Sequence, residues 1–139
     1  MRRHVALTNL SRDHHHALVL AKHALQAGRE TIDCQAAFAM ELVDTFRREI
    51  EKHFQKEESS LLPLLEKAGL ATPVARAISE HNALRELVGR LNGGEFSCLS
   101  AFADLLVEHV RFEERDLFLL AESKLTPELL ARIDQELCN

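Results

Sequence analysis

The chain contains the stretch HFQKE at residues 53–57 and the related stretch HVRFE at residues 109–113. Each stretch begins with a histidine and ends with a glutamate four residues later. Residues with this spacing are neighbours on one face of an α-helix, so each stretch can direct an imidazole and a carboxylate towards the same ion. Nitrogen and oxygen ligands of this kind suit iron, manganese or zinc. The two stretches therefore predict a metal site built on helices.

The segments around both stretches, like almost every other part of the chain, repeat apolar residues at steps of three and four. This spacing is typical of amphipathic helices, and no segment alternates as a strand would. The expected helices run from Thr8 or Ser11 to Gly28, from Thr31 or Asp33 to about Lys67, from Thr72 to Asn92, from about Glu95 to Ser123, and from Thr126 to about Leu137. Pro63 is expected to bend or end the second helix. Four long helices with short links predict an all-α fold, an antiparallel up-down-up-down four-helix bundle with a short C-terminal fifth helix.

Histidines and glutamates interrupt the apolar faces of all four long helices. The interrupting residues are His14, His53, Glu57, His81, His109 and Glu113. A buried imidazole or carboxylate without a partner is costly, and a bundle with a total stability of roughly 5–15 kcal/mol could hardly tolerate six of them. We therefore predict that these six residues bind metal, and that two ions fit them better than one. The same apolar faces are expected to include Leu25, Met40, Leu64 and Leu120.

Other interpretations of the polar residues remain open. The run from His14 to His16 can direct only one imidazole inward, and His14 fits because it lies four residues from Leu10 and from Leu18. His15 is the alternative ligand. Asp13 is expected to be exposed or to accept a hydrogen bond from a histidine. The residues expected to face solvent are His4, His16, His23, Glu58 and Glu114. For the whole cluster, the competing interpretation is a polar core without metal.

The length and composition limit the classes of protein. A chain of 139 residues favours a single domain over residues 1–139. With 22 acidic against 17 basic residues, neither nucleic acid nor an anionic membrane is expected as a partner. The chain has no stretch like a membrane span and no N-terminal segment like a signal peptide, so we expect a cytoplasmic protein. Cys34, Cys98 and Cys138 are far apart and are expected to be reduced. Because tyrosine is absent, a tyrosyl-radical mechanism is excluded.

Longer motifs around the predicted ligands resemble the hemerythrin-like family of HHE cation-binding domains. The resemblance covers Leu10 to about Ala121 and rests on RDH at residues 12–14, HFQKEESSLLP at 53–63, SEHN at 79–82 and EHVRFEE at 108–114. It implies a four-helix bundle around an oxo- or hydroxo-bridged pair of iron ions. The ligands that it implies here are His14, His53, Glu57, His81, His109 and Glu113. Zinc or manganese fits the same side chains.

The third helix departs from the pattern of the family's oxygen carriers. Carriers have two histidines one turn apart on this helix, whereas the residues one turn from His81 are Ala77 and Arg85. The six-ligand set is more similar to bacterial members linked to nitric-oxide stress. The resemblance thus implies a protein that binds or senses dioxygen or nitric oxide, or that responds to reactive oxygen or nitrogen species. The alternatives are a peroxide or nitric-oxide reductase, which would need a redox partner, and an iron-handling protein without turnover.

Overall fold

The computed structural model describes residues 3–138, and helices account for nearly all of them. The helices are named here α1 (Val5–Ala27), α2 (residues 32–67), α3 (Ala71–Asn92), α4 (residues 99–124) and α5 (Pro127–Cys138). No strand occurs among the described residues, so the predicted all-α class is confirmed, as is the fifth helix. None of the described helices is both long and apolar enough to cross a membrane. Cys34 is exposed and Cys98 is buried, both as free thiols, and the side chain of Cys138 lies outside the described part.

Helix α1 begins before both predicted capping residues. His4 caps it, because its Nδ1 accepts a hydrogen bond of 3.0 Å from the backbone N–H of Ala6. The backbone N–H of His4 donates to Glu122 at 2.7 Å, which ties the start of α1 to the end of α4. At the other end, a Cβ on Gly28 would lie 3.3 Å from the hydroxyl of Ser100, so glycine allows α4 to begin close to the end of α1.

Helix α2 is continuous but contains two wide π-helical turns. Its α-helical segments are Ile32–Thr45, Glu51–Lys56 and Leu62–Lys67, and its π-helical segments are Phe46–Ile50 and Glu57–Leu61. Pro63 does not end the helix, contrary to one predicted outcome. It lies in the first turn of the last α-helical segment, directly after the π-helical segment Glu57–Leu61.

Helix α4 repeats this construction. The π-helical segment Glu113–Leu117 separates the α-helical segments Leu99–Phe112 and Phe118–Lys124. Each of the two predicted metal-binding glutamates is therefore the first residue of a π-helical segment. Such segments are rare and occur frequently at functional sites.

Short connections join the long helices. Gly69 and Gly94 follow α2 and α3 with φ angles of +91° and +97°, a left-handed backbone conformation that glycine adopts without the steric cost paid by other residues. Helix α3 begins at Ala71, ahead of the predicted cap at Thr72. Both turns are consistent with the reversals of direction that an up-down-up-down bundle requires.

The buried apolar residues form two cores on either side of a polar layer. The first core includes Ala21, Leu42, Phe46, Leu84, Leu99 and Phe102, and the second core includes Leu7, Leu61, Leu65, Val74, Leu117, Phe118 and Ile133. Helices α1 and α3 run from the second core to the first, whereas α2 and α4 run from the first to the second. This alternation is that of an antiparallel bundle. Helix α5 packs against the second core.

Besides Leu18, which is 38% exposed next to the buried Ala17, four residues named above for the apolar faces are not fully buried. Leu25 is 37% exposed and Met40 is 77% exposed, while Leu64 and Leu120 are half-buried. The residues buried in their place are each one position away: Ala24, Ala39, Leu65 and Ala121. For Met40, Leu64 and Leu120, a π-helical segment separates the residue from the predicted metal ligands of its helix or begins at one of them. The extra residue of a π turn therefore explains their shift by one position.

Candidate metal centre

The polar layer between the two cores contains all six predicted ligands. The structure brings their side chains together as two overlapping groups. The first group is His14, His53, Glu57 and Glu113, and the second group is Glu57, His81, His109 and Glu113. In each group one nitrogen or oxygen atom from every residue lies within 4.8 Å of the others. No residue of either group is more than 5% exposed.

Glu57 and Glu113 belong to both groups because each directs one oxygen towards each group. Oε2 of Glu57 lies 3.4 Å from His53 Nε2, and its Oε1 lies 3.1 Å from His81 Nε2. Oε1 of Glu113 lies 3.9 Å from His53 Nε2, and its Oε2 lies 3.3 Å from His109 Nε2. Carboxylates placed in this way can bridge two cations.

Most of these inward-facing atoms have no hydrogen-bond partner among the described residues. They are His53 Nε2, His81 Nε2, His109 Nε2, Glu113 Oε2 and both carboxylate oxygens of Glu57. His14 differs, because its Nε2 is hydrogen-bonded to Glu113 Oε1 at 2.8 Å. Leaving so many buried polar atoms unpaired is costly, and bound cations would satisfy them together. The side chains present therefore fit a metal cofactor.

The outward-facing nitrogen of each histidine lies against a carboxylate. The pairs are His14 with Glu114 at 3.1 Å, His53 with Asp13 at 3.0 Å, His81 with Glu58 at 2.7 Å and His109 with Glu80 at 2.7 Å. A carboxylate only accepts hydrogen bonds, so Nδ1 must carry the proton that it donates. Nε2, which in His14 is also hydrogen-bonded to Glu113, can then bind a cation when it carries no proton. Metal-binding histidines are commonly oriented by such partners.

These four residues, the outer carboxylates, connect neighbouring helices in one direction around the bundle. Asp13 on α1 accepts from the histidine of α2, Glu58 on α2 from that of α3, Glu80 on α3 from that of α4, and Glu114 on α4 from that of α1. Each outer carboxylate is also adjacent in sequence to a predicted ligand of its own helix. One short motif therefore contributes to two parts of the site.

Arginines hold three of the four outer carboxylates. Arg85 donates to Glu58 at 3.0 and 3.1 Å, Arg76 donates to Glu80 at 3.1 Å, and Arg3 donates to Glu114 at 3.0 Å. Asp13 has no arginine partner among the residues described, and its side chain is 47% exposed. The support behind His53 is therefore the weakest of the four.

The sequence predictions for the outer carboxylates were partly wrong. Glu58 and Glu114 were expected to face solvent, but their side chains are only 28% and 27% exposed and both bond to histidines. The residue next in sequence to a core residue lies about 100° further around its helix. In a bundle this direction leads to the adjacent helix, where Glu58 and Glu114 find their histidine partners. Glu80 was not predicted to have a role, although it lies inside the motif around His81. Asp13 accepts a hydrogen bond from a histidine, which was one of its two predicted roles.

Burial shows which of the three consecutive histidines faces the polar layer. His14 is buried in the polar layer, whereas His15 and His16 are exposed, so the structure places His14 and not the alternative His15 among the candidate ligands. His23 is exposed as expected. His4, which was expected to be solvated, caps α1 instead.

The electrostatics of the site favour bound positive charge. Burial opposes protonation of His81, but the nearby carboxylates of Glu113 and Glu57 outweigh it and raise the pKa of His81 to about 9. Burial is likewise outweighed at His109, where Glu113 and Glu80 raise the pKa to about 10. Burial alone would raise the pKa of Glu113, but the charge of His109 and hydrogen bonds from the histidines hold it well below its usual range. Protons and metal ions therefore compete for the same atoms.

A cavity of about 60 Å³ lies beside the polar layer, between α1, α2 and α4. It reaches His14, His53 and His109, and its apolar wall includes Leu106 and Val110. A cavity needs roughly 10–15 Å³ to hold one water molecule, so this cavity has room for a diatomic molecule together with water. Polar residues line the rest of the cavity: Asp13, His16, Thr45 and Glu49.

A helical bundle that buries two histidine and carboxylate groups sharing two glutamates is a cation-binding bundle. A family model described as the hemerythrin HHE cation binding domain matches residues 5–121 of the chain. The chain therefore belongs to this family, as the motifs predicted. Comparison with curated proteins and with solved structures gives no significant match.

Proposed function

We propose that this protein binds two iron ions through His14, His53, Glu57, His81, His109 and Glu113, and that it binds or senses dioxygen or nitric oxide there. The observation that carries the proposal is the placement of Glu57 and Glu113, each with one oxygen towards each histidine pair. This placement divides six ligands between two adjacent cation positions. Zinc or manganese is the alternative occupant, since the ligand types do not separate them from iron.

The protein's own contribution is to hold the ligands and to limit access of water. Phe54 stacks on the ring of His81 with centroids 3.9 Å apart, and it also meets the ring of His109 edge to face at 5.6 Å. The two cores seal the polar layer from both ends of the bundle. The small cavity reaches His14, His53 and His109, and its size and apolar wall favour a small neutral ligand.

Iron bound in the two groups would supply a reversible ferrous–ferric couple and coordination positions for a diatomic ligand. Glu57 and Glu113 would keep the two positions together, while the outer carboxylates keep each histidine nitrogen directed inward. Electrons for repeated turnover would have to come from a redox partner. We therefore favour binding or sensing over a reductase.

Iron content is the first test of the proposal. Aerobic loading should give about two iron ions per chain, and Glu57→Ala should lower this number because both groups share that carboxylate. Glu66→Ala, which changes an exposed glutamate of the same helix, is the matched control. Fewer than about one iron per chain in the unmodified protein would contradict the proposal.

Stopped-flow mixing of the reduced protein with dioxygen or nitric oxide distinguishes the functions. The chain has neither tryptophan nor tyrosine, so iron-dependent bands in the near ultraviolet should stand out from weak protein absorbance. A saturable and reversible spectral change is expected for a binding or sensing protein. Consumption of the gas over many equivalents with an added reductant would indicate a reductase, and no reaction with either gas would indicate iron handling.

A further inference from the structure

Arg85 makes the densest set of polar contacts around the metal centre. Its Nε donates to both carboxylate oxygens of Glu51, at 2.9 and 3.1 Å. Its two terminal nitrogens donate to the two oxygens of Glu58, at 3.0 and 3.1 Å, and one of them also reaches the side-chain oxygen of Asn82 at 3.0 Å. Arg85 thus joins α3 to α2 through the several donors of its planar guanidinium. The ammonium group of a lysine could not reproduce this geometry.

The contacts of Arg85 converge on His81, which lies one turn earlier on α3. Glu58, held by Arg85 from one side, accepts the Nδ1 hydrogen bond of His81 at 2.7 Å. The guanidinium carbon of Arg85 also lies 5.6 Å from the ring centre of Phe54, and Phe54 stacks on His81 with an interplanar angle of 13°. Arg85 therefore contacts both of the groups that fix the imidazole of His81.

Arg76 lacks this double connection, and Arg3 has a looser form of it at His14 in the first group. Arg76 binds Glu80 from the same helix, and its guanidinium lies over Phe112, 4.0 Å from the ring centre. Arg3 binds Glu114, and its guanidinium lies 5.5 Å from the ring centre of Phe118. Phe118 stacks against His14, but its ring centre is 5.3 Å away instead of the 3.9 Å found between Phe54 and His81.

We propose that Arg85 is a positioning residue that fixes the orientation of His81 in the second group through Glu58 and Phe54. Arg85, one of the two residues one turn from His81, thus contributes to the site indirectly, by restraining a ligand instead of being one. The inference rests on the proposed function in requiring that each of the two groups binds a cation. It predicts that loss of Arg85 weakens the second group and spares the first.

Titration of the metal-free protein with Co²⁺ tests this selectivity. The unmodified protein should take up two equivalents of Co²⁺, and the visible absorption of the bound cobalt measures this uptake. In Arg85→Gln, one of the two equivalents should bind about 10- to 100-fold more weakly, as is typical when a residue supporting a metal ligand is lost. Arg48→Gln is the matched control, because Arg48 forms an exposed pair with Asp44 on α2. It should bind both equivalents as the unmodified protein does.

Nuclear magnetic resonance of the zinc-loaded protein gives a readout that a purely structural role would not change. The Nδ1 proton of His81 should exchange slowly with water in the unmodified protein and at least several-fold faster in Arg85→Gln. The Nδ1 proton of His53, which is bonded to Asp13, should be unaffected. Glu58→Gln should reproduce the selective loss of one Co²⁺ equivalent, and combining it with Arg85→Gln should add little because both changes act through the same contact.

Each result has a defined meaning. If Arg85→Gln binds both equivalents like Arg48→Gln, or if both equivalents weaken equally, the inference is overturned while the proposed function stands. If the unmodified protein takes up fewer than two equivalents, the proposed function falls and the inference falls with it. Should Arg85→Gln not fold, Arg85→Lys replaces it, since lysine keeps the charge but not the planar guanidinium and should still weaken one equivalent selectively.

Discussion

At the scale of single residues, each histidine of the centre lies between two kinds of carboxylate with different roles. Its Nδ1 donates to an outer carboxylate, and its Nε2 faces the shared glutamates. For His109 the two partners are Glu80 and Glu113. The outer bond keeps a proton on Nδ1, so in the neutral imidazole the lone pair is on the inner nitrogen and is available to a cation. A change on either side of the ring should therefore alter metal binding.

Removing a candidate ligand should affect metal content only if that side chain faces the centre. His81→Ala should lower the iron or Co²⁺ content towards one equivalent, because His81 supplies one of four side chains in the second group. His16→Ala should leave the content unchanged, since His16 is exposed. Elemental analysis of both variants after identical loading measures the difference. Equal losses would refute the assignment of helix faces.

The outer carboxylates should matter almost as much as the ligands. Glu80→Gln weakens the acceptor of His109 Nδ1 and is expected to lower metal affinity about 10- to 100-fold. Glu108→Gln changes the exposed glutamate next to His109 in sequence and should have no effect. Competition with a chelator of known affinity gives the two values. Similar affinities in both variants would show that the outer bond does not contribute.

The placement of the six central residues in the polar layer was predictable from sequence, because it depends on the periodicity of each residue's own helix. Periodicity favoured His14 in the run of three but left His15 open, and burial places only His14 in the polar layer. The outer carboxylates were not predictable in the same way, because each acts on a histidine of the next helix. Periodicity shows that Glu58 lies beside the core position of Glu57, but only the arrangement of the helices shows that it meets His81.

At the scale of helices, the π-helical segments determine where sequence prediction fails. An α-helical extrapolation past Glu57 leads to Leu64, and past Glu113 it leads to Leu120, but the buried residues are Leu65 and Ala121. One extra residue in each wide turn accounts for both differences. Leu25 failed for another reason, because steps of three and four residues are both compatible with a helical face. The small Ala24 is buried where a larger side chain was expected.

Pro63 should contribute little to the stability of α2. Because it stands in the first turn of the segment Leu62–Lys67, Pro63→Ala should change the free energy of unfolding by less than about 1 kcal/mol. By contrast, Glu86→Pro places proline at an exposed position inside α3 and should cost about 3 kcal/mol or more. Chemical denaturation of the metal-loaded proteins measures both. A large loss for Pro63→Ala would mean that proline is needed to maintain the wide turn before it.

At the scale of the whole molecule, the polar layer separates two apolar cores and links stability to protonation. His81 and His109 have pKa values of about 9 and about 10 in the folded protein, above the ordinary 6.5. Between pH 6.5 and the folded pKa values, folding is therefore accompanied by proton uptake at His81 and His109. In the metal-free protein this stabilisation is complete below about pH 6.5 and is lost as the pH rises through the folded pKa values.

The metal-free protein should consequently become less stable in alkali, and the metal-loaded protein should not. Bound cations replace the protons on His81 and His109, and their affinity rises with pH because the protons compete less. Urea unfolding at about pH 6, 8 and 9.5, with and without Zn²⁺, measures both trends. Parallel pH profiles for the two forms would contradict the link between metal binding and these histidines.

The one-way order of the outer carboxylates has a consequence for the handedness of the bundle. Four antiparallel helices can follow one another clockwise or anticlockwise around the bundle axis. Each helix has the same two neighbours in both arrangements, and apolar cores distinguish them poorly. In the opposite arrangement Asp13 would face α4 instead of α2, and the other outer carboxylates would likewise meet the wrong helix. All four histidines would then lose their Nδ1 partners together. The side chains that prepare the site for metal thus also select one of two mirror-related topologies.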